Sequence, residues 1–250
     1  MGLGSGQNTI DFISQVALGL LPNYSVYTKK GQNPAVSNGS LPIDLWSQNS
    51  LYTGFDVTAA IGVLAVSSDA TDTGELTVSG LLTSSSTEYT SETITLSGTT
   101  PVTFTNQYYR IHTARYSSGS ADTFNVGNID VYNEADPTEL FLQILAGKSQ
   151  SYMGGFTIPA GSTGLIYNVK AQVKDGASAV NGDGSFWVRP YQGSPRLRRP
   201  IVVSSLYESK DLEYAPIVLQ EKTDVIPRII SLSNNNLFIT ISYNVLTKKN

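Results

Sequence analysis

Two kinds of patterning divide the chain. From Leu45 onward, apolar and polar residues alternate in short runs rich in Thr, Val, Ile and Tyr, the period-two signature of strands with one buried face. In the first block the predicted strands are Leu76-Thr77-Val78, Thr93-Ile94-Thr95-Leu96, Val102-Thr103-Phe104, Tyr109–Arg115, Ile129-Asp130-Val131 and Leu140–Leu145. Turn dipeptides separate them at Ser79-Gly80, Ser97-Gly98, Ser118-Gly119 and Asp136-Pro137. From Ser149 the same grammar repeats. Strands are predicted at Gly155–Ile158, Leu165–Val173, Ser185–Arg189, Ile201–Val203, Ile217–Leu219, Val225–Leu232 and Leu237–Leu246, with turns at Pro159-Ala160-Gly161 and Asn181-Gly182-Asp183-Gly184. Short strands at roughly 8–12-residue spacing predict a sandwich or barrel. The expected architecture is all-β: tandem β-sandwich or jelly-roll-like domains over residues 45–147 and 148–250, with one large sandwich as the alternative.

Residues 1–44 carry neither period cleanly. Gly2, Gly4 and Gly6 open the segment. Ile10, Phe12, Ile13, Val16, Leu20 and Leu21 then form an apolar stretch, closed by Pro22, whose spacing fits a short helix imperfectly and a strand no better. Residues 23–40 are polar and turn-rich, with Lys29, Lys30, Gly31, Asn33, Pro34, Asn38 and Gly39. The expectation is an N-terminal arm over residues 1–44. Its assembly contact would be Phe12, Ile13, Val16, Leu20 and Leu21, because such side chains need a partner surface. The alternative is a first strand plus loop of the main domain.

Composition narrows the function classes. Of 250 residues, 40% are apolar, enough for a real core, while only 14% are charged against about 25% in ordinary soluble domains. The surface is therefore polar but mostly uncharged. A net charge of −4 without a basic block argues against a nucleic-acid partner, since phosphate neutralisation needs clustered Lys or Arg. The one local cluster, Arg196, Arg198 and Arg199 between Pro195 and Pro200, reads as a loop or edge-strand contact. The absence of cysteine removes disulfides and thiolate chemistry. No apolar run is long enough to span a bilayer, so no membrane partner is expected. No Lys or Arg precedes the stretch Val16–Leu21, so secretion through a standard signal peptide is not expected either.

Candidate chemistry is sparse. Strict alternation through Tyr109–Tyr116 puts the single histidine, His112, on the face of Arg110 and Ala114, opposite Ile111 and Thr113. A Ser-His-Asp triad would need a nucleophile elbow, and no Gly-x-Ser-x-Gly is present; an ordinary strand histidine is the expectation. Carboxylate pairs suited to glycoside hydrolysis could come from Asp69, Asp72, Glu75, Glu88, Glu92, Asp122, Asp130, Glu134, Asp136 and Asp183, but no pair is marked out. Ser68–Gly74 resembles a calcium loop only superficially, lacking the Asp-x-Asp-x-Asp-Gly order and distal Glu, and reads as a turn. Gly154-Gly155 and Gly161-x-x-Gly164 are not phosphate loops, because no Lys-Ser/Thr follows. No catalytic, cofactor-binding or metal-binding residue is therefore assigned, and no cofactor is expected. The 14 tyrosines suit interfaces and sugar stacking, although strand cores account for most of them.

Several stretches together resemble a family of uncharacterised structural proteins of tailed phages and environmental viruses. They are Val63–Gly74, Glu92–Val102, Asn128-Ile129, Ile144–Ser151 and Phe156–Gly161, with Phe12–Asn33, Trp46 and Leu51-Tyr52 in its N-terminal region. Where that family has a fuller Asp-Thr-x-x-Gly-Thr-Gly turn, this chain has only Asp72-Thr73-Gly74. The resemblance implies a virion component with β-sandwich domains displayed on the particle. Combined with low charge and Thr/Ser-rich strands, it gives the expected function: a non-enzymatic virion structural protein, either a capsid decoration or a head-fibre subunit. Such a subunit would be made in the host cytoplasm, form a homotrimer, and bind the major capsid protein or other virion proteins through its arm. The rivals are a tail protein binding a host receptor or host-surface glycan, and a polysaccharide-degrading enzyme using two carboxylates.

Overall fold

A computed structural model describes residues 11–119, 124–174, 180–204 and 216–250, with the backbone of 209–210. A short helix α1 (Phe12–Ala17) is followed by strands β1 (Tyr24–Val36) and β2 (Ile43–Asp44). Seven strands follow: β3 (Val63–Ser67), β4 (Glu75–Leu81), β5 (Thr90–Thr95), β6 (Val102–Thr103), β7 (Arg110–Ser117), β8 (Ile129–Asn133) and β9 (Leu140–Ile144). The remaining strands are β10 (Phe156–Thr157), β11 (Ser162–Lys174), β12 (Asn181–Arg189), β13 (Arg196–Ser204), β14 (Ser209–Lys210), β15 (Ile217–Leu219), β16 (Asp224–Leu232) and β17 (Leu237–Lys249). The chain is thus nearly all-β, and every strand expected from alternation overlaps an observed one. The reason is visible in β17, where Leu237, Ile239, Ile241, Tyr243 and Val245 are buried and Phe238, Thr240, Ser242 and Asn244 are half-exposed.

Among the described residues the strands form four antiparallel sheets. Sheet I runs β1-β17-β11-β14, with β15 also on β11; sheet II runs β10-β16-β12-β13, with β2 on β16. Sheet III runs β6-β3-β8-β9, and sheet IV runs β5-β4-β7. One buried cluster draws on sheets I and II, including Ile166, Phe186, Ile201, Ile229, Ile239 and Val245. A second draws on sheets III and IV, including Val63, Leu76, Val78, Ala114, Val131 and Leu142, together with Trp46, Tyr52 and Phe55.

Residues 24–44 are not an arm. β1 pairs with β17 from Tyr24↔Lys248 to Val36↔Leu237, β2 pairs with β16, and Val36 and Ile43 join the first cluster. This matches the alternative of a first strand and loop, but its sheet partners lie near the other end of the chain. Alternation in β1 is blurred because the polar residues Lys29, Gln32 and Asn33 are buried there, which is why the sequence reads as a polar extended segment. The residues of sheets III and IV, 63–144, are enclosed in sequence by strands that pair with one another.

The chain enters and leaves this middle unit at one crossing. Gly154 N–H donates to Leu45 O at 3.0 Å, Leu45 N–H to Pro227 O at 2.8 Å, and Gln32 N–H to Tyr152 O at 3.1 Å. A Cβ on Gly31 would lie 2.6 Å from Leu45 O, and one on Gly154 would lie 2.8 Å from the same atom. Only glycine lets these backbones approach so closely.

The turn expected at Asn181-Gly182-Asp183-Gly184 is instead the start of β12. The pairing slips by one residue between Asp183 and Gly184, and a Cβ on Gly182 would meet Ser231 O at 2.5 Å. Glycines here serve a bulge and a tight backbone contact rather than a chain reversal.

Candidate functional site

The two clusters meet along a seam, and strand β7 supplies its central residues. Opposite β7, Gly80 pairs with Ile111 and Ser79 with Thr113, so His112 is the extra residue of a β-bulge. Beyond the bulge the inward face changes parity: Ile111 and Ala114 both enter the second cluster. Arg110 and His112 do share the seam side, but Ala114 does not share it with them, which corrects the strict alternation expected for this strand. Gly80 is required opposite the bulge, where a Cβ would lie 2.0 Å from Arg110 O.

On one side of the seam Arg110 is locked. It donates from Nε to Asp224 Oδ1 and from Nη2 to Asp224 Oδ2, both at 3.0 Å, and further to Val57 O, Tyr109 O and Phe55 O at 2.8, 2.8 and 3.0 Å. Burial works against its charge, but Asp224 outweighs that and holds the guanidinium above its ordinary range. Asp224 also accepts from Thr157 Oγ1 at 2.7 Å and from Arg189 Nη2 at 2.9 Å, and Arg189 continues to Asp56. A parallel pair joins Arg228 to Asp44, with Nε to Oδ1 at 2.7 Å and Nη2 to Oδ2 at 3.0 Å. Trp187 lies stacked on Phe55 and is flanked by the Arg189 and Arg228 guanidinium groups. These contacts tie β16 and β12 to β7 and to residues 55–57 with charge-assisted bonds that run from the buried Arg110–Asp224 pair out to the exposed Asp56.

On the other side the seam opens into a cleft of about 390 Å³. Lys29 and His112 are buried at its floor, 4% and 3% exposed. Phe156, Tyr27 and Tyr89 form aromatic walls, and Thr28, Ser79, Thr113 and Arg115 form the polar rim. Tyr89 packs edge-on to both His112 and Tyr27, and its hydroxyl donates to Thr157 O. Lys29 Nζ donates to His112 O at 2.7 Å, and burial lowers the ammonium pKa to about 7. Burial first, then the Lys29 and Arg110 charges, hold His112 well below its ordinary range, so the imidazole is neutral. Among the described residues neither of its ring nitrogens has a hydrogen-bond partner.

Other residues singled out by the sequence fall elsewhere. Of the proposed contact residues, Val16 is buried, Ile13 and Leu21 are half-buried, and Phe12 and Leu20 are exposed, with Phe12 edge-on to Tyr24. Helix α1 is capped by Asp11, whose side chain accepts from Ser14 N at 3.0 Å. In the Ser68–Gly74 turn, Asp72 faces inward and accepts from Ser67 Oγ, Val126 N and Gly127 N. That carboxylate fastens two loops, and no group of three or more metal-ligating side chains occurs among the described residues. Glu92 caps the backbone at Thr105 and Asn106, and Asp130 bonds Gln143. Asp122 lies outside the described residues. Arg196, Arg198 and Arg199 are exposed on the edge strand β13, where Arg199 has positive φ at a bulge and discourages edge-to-edge pairing. Tyr52, Tyr108, Tyr109, Tyr116 and Tyr243 are buried, whereas Tyr27 and Tyr89 are cleft walls.

Sequence reasoning missed Lys29 and the seam carboxylates Asp224 and Asp44. Nothing local sets these charges apart, and the partners that define them, His112 O for Lys29, Arg110 for Asp224 and Arg228 for Asp44, lie roughly 80 to 185 positions away.

No family model and no curated protein matches the chain. Among solved structures, similarity is found to infectious bursal disease virus, Gt strain, at 10% identity over 96% of this chain and 78% of that one, with a TM-score of 0.25. The PBSX exported protein XepA is similar at 10% identity over 88% and 81% of the two chains, with a TM-score of 0.20. Likenesses of this size carry no argument about fold or function.

Proposed function

We propose that this chain is a non-enzymatic structural protein of a virion surface, a capsid decoration or head-fibre subunit, with each pair of sheets forming a β-sandwich. The observation that carries this reading is the seam. Arg110 of β7 and Asp224 of β16 fasten the two β-units together, Arg189 extends that bridge from Asp224 to Asp56, and Arg228 braces Asp44 within sheet II, an arrangement suited to a rigid coat element. The sequence resemblance to phage structural proteins points the same way. Self-association as a homotrimer and attachment to the major capsid protein or another virion protein complete the proposal. Because residues 24–44 belong to the folded body, attachment is reassigned to the segment preceding β1, where Phe12, Leu18 and Leu20 are exposed.

Immunogold labelling of purified particles should find the protein at many symmetry-related capsid positions. Its absence from particles would overturn the proposal, and labelling confined to the tail tip would replace it with the receptor-binding reading. Removing residues 1–21 should leave a protein with unchanged β-sheet circular dichroism that no longer binds particles stripped of it. Removing residues 1–40, which takes away β1, should instead give insoluble protein.

A further inference from the structure

The cleft beside the seam has the chemistry of a ligand site rather than of a packing defect. Lys29 carries three N–H donors, yet among the described residues one acceptor, His112 O, satisfies it. No carboxylate lines the cleft; its charged groups are Lys29 and, on the rim, Arg115. A buried amine so placed calls for an anion. His112 adds a second unmet demand. Its neutral ring presents one donor and one acceptor, and both nitrogens are unpartnered among the described residues. A hydroxyl, which donates and accepts, answers that demand; a second anion would not. Tyr27, Tyr89 and Phe156 supply the apolar faces on which a ring can lie.

We propose that this cleft binds a saccharide ring bearing a carboxylate, a sugar acid of the uronic type, with the carboxylate at Lys29, a ring hydroxyl at His112 and the ring face against Tyr27 and Tyr89. The cleft is of a size typical of small-molecule sites, and its rim of Thr28, Ser79, Thr113 and Arg115 is suited to the remaining hydroxyls. β1, β7 and β10 each contribute residues, so the site exists only when both β-units are joined. The same chemistry could come from a free sugar acid or from the end of an acidic surface polysaccharide. The inference does not depend on where the protein sits in a particle.

Titration calorimetry on the full-length protein tests it with three probes: methyl β-glucuronide, methyl β-glucoside and benzoate. The glucuronide should bind at least tenfold more tightly than either of the others, and Lys29→Met should weaken it at least tenfold while leaving the circular dichroism unchanged. Because the Lys29 ammonium is mostly deprotonated at pH 8, its pairing with a carboxylate should take up a proton. Binding heats measured at pH 8 in two buffers of different ionisation enthalpy should therefore differ. The comparison of the three probes uses the unmodified protein and decides the matter even if Lys29→Met fails to fold. Failure of the glucuronide to bind, or equal binding of the glucoside, would overturn the proposal. Equal binding of benzoate would overturn its sugar component. An oligosaccharide of glucuronate that binds more tightly than the monosaccharide identifies a polysaccharide source, and equal affinity identifies the free acid.

Discussion

Deep burial beside Lys29 and Arg110 makes His112 a pH-dependent element of stability. Its folded pKa lies well below the ordinary value of 6.5, so under mild acid the unfolded chain takes up a proton that the folded chain refuses. Stability from this group is therefore present above pH 6.5 and lost as the pH falls below it, by up to about 1.4 kcal/mol per pH unit. The groups facing it are Lys29, Arg110 and Tyr89, and none supplies a carboxylate that would reverse the sign. Urea denaturation of wild type and His112→Phe between pH 7 and pH 5 should show the wild type losing stability relative to the variant. Parallel curves would mean that the imidazole is not held neutral. None of this was legible in the sequence, where His112 differs from its strand neighbours only in residue type.

Elements were largely legible, because period-two alternation follows from one-sided burial and survives without knowledge of partners. Alternation fails where a bulge changes the parity, as at His112 in β7 and at Asp183-Gly184 in β12, and where buried polar residues replace apolar ones, as in β1. In all three places a glycine marks the spot, at Gly80, Gly184 and Gly31, but a glycine reads equally well as a turn until the opposing backbone is known. The requirement at Gly80 is testable. A methyl group there meets the Arg110 carbonyl at 2.0 Å, so the bulge must shift, and Gly80→Ala should destabilise by about 1–3 kcal/mol in chemical denaturation. An unchanged midpoint would show that the bulge tolerates a side chain.

At the scale of the molecule, two buried clusters joined by a seam of charge-assisted bonds should unfold as one. Asp224 binds Arg110 and Arg189, so Asp224→Ala leaves a buried guanidinium unpaired, at a cost of about 3–5 kcal/mol. Calorimetry should then resolve two transitions where the wild type shows one; a single transition shifted to lower temperature would show that the units stay coupled through the remaining contacts. The sequence pointed to two β-blocks but not to their nesting, since hydrophobic pattern records which faces are buried and not which strand they meet. The pairing of β1 with β17 has a further consequence for the nascent chain. Thr28 and its partner Asn244 are 216 positions apart, and at ribosomal speeds of about 5–20 residues per second the first waits on the order of 10–40 s for the second. In that interval the strands of sheets III and IV are fully synthesised and free to fold, while β1 stands with an unpaired edge. A ribosome stalled before β17 would thus display a finished middle unit beside an open strand, a form exposed to chaperones and to mispairing with neighbouring chains.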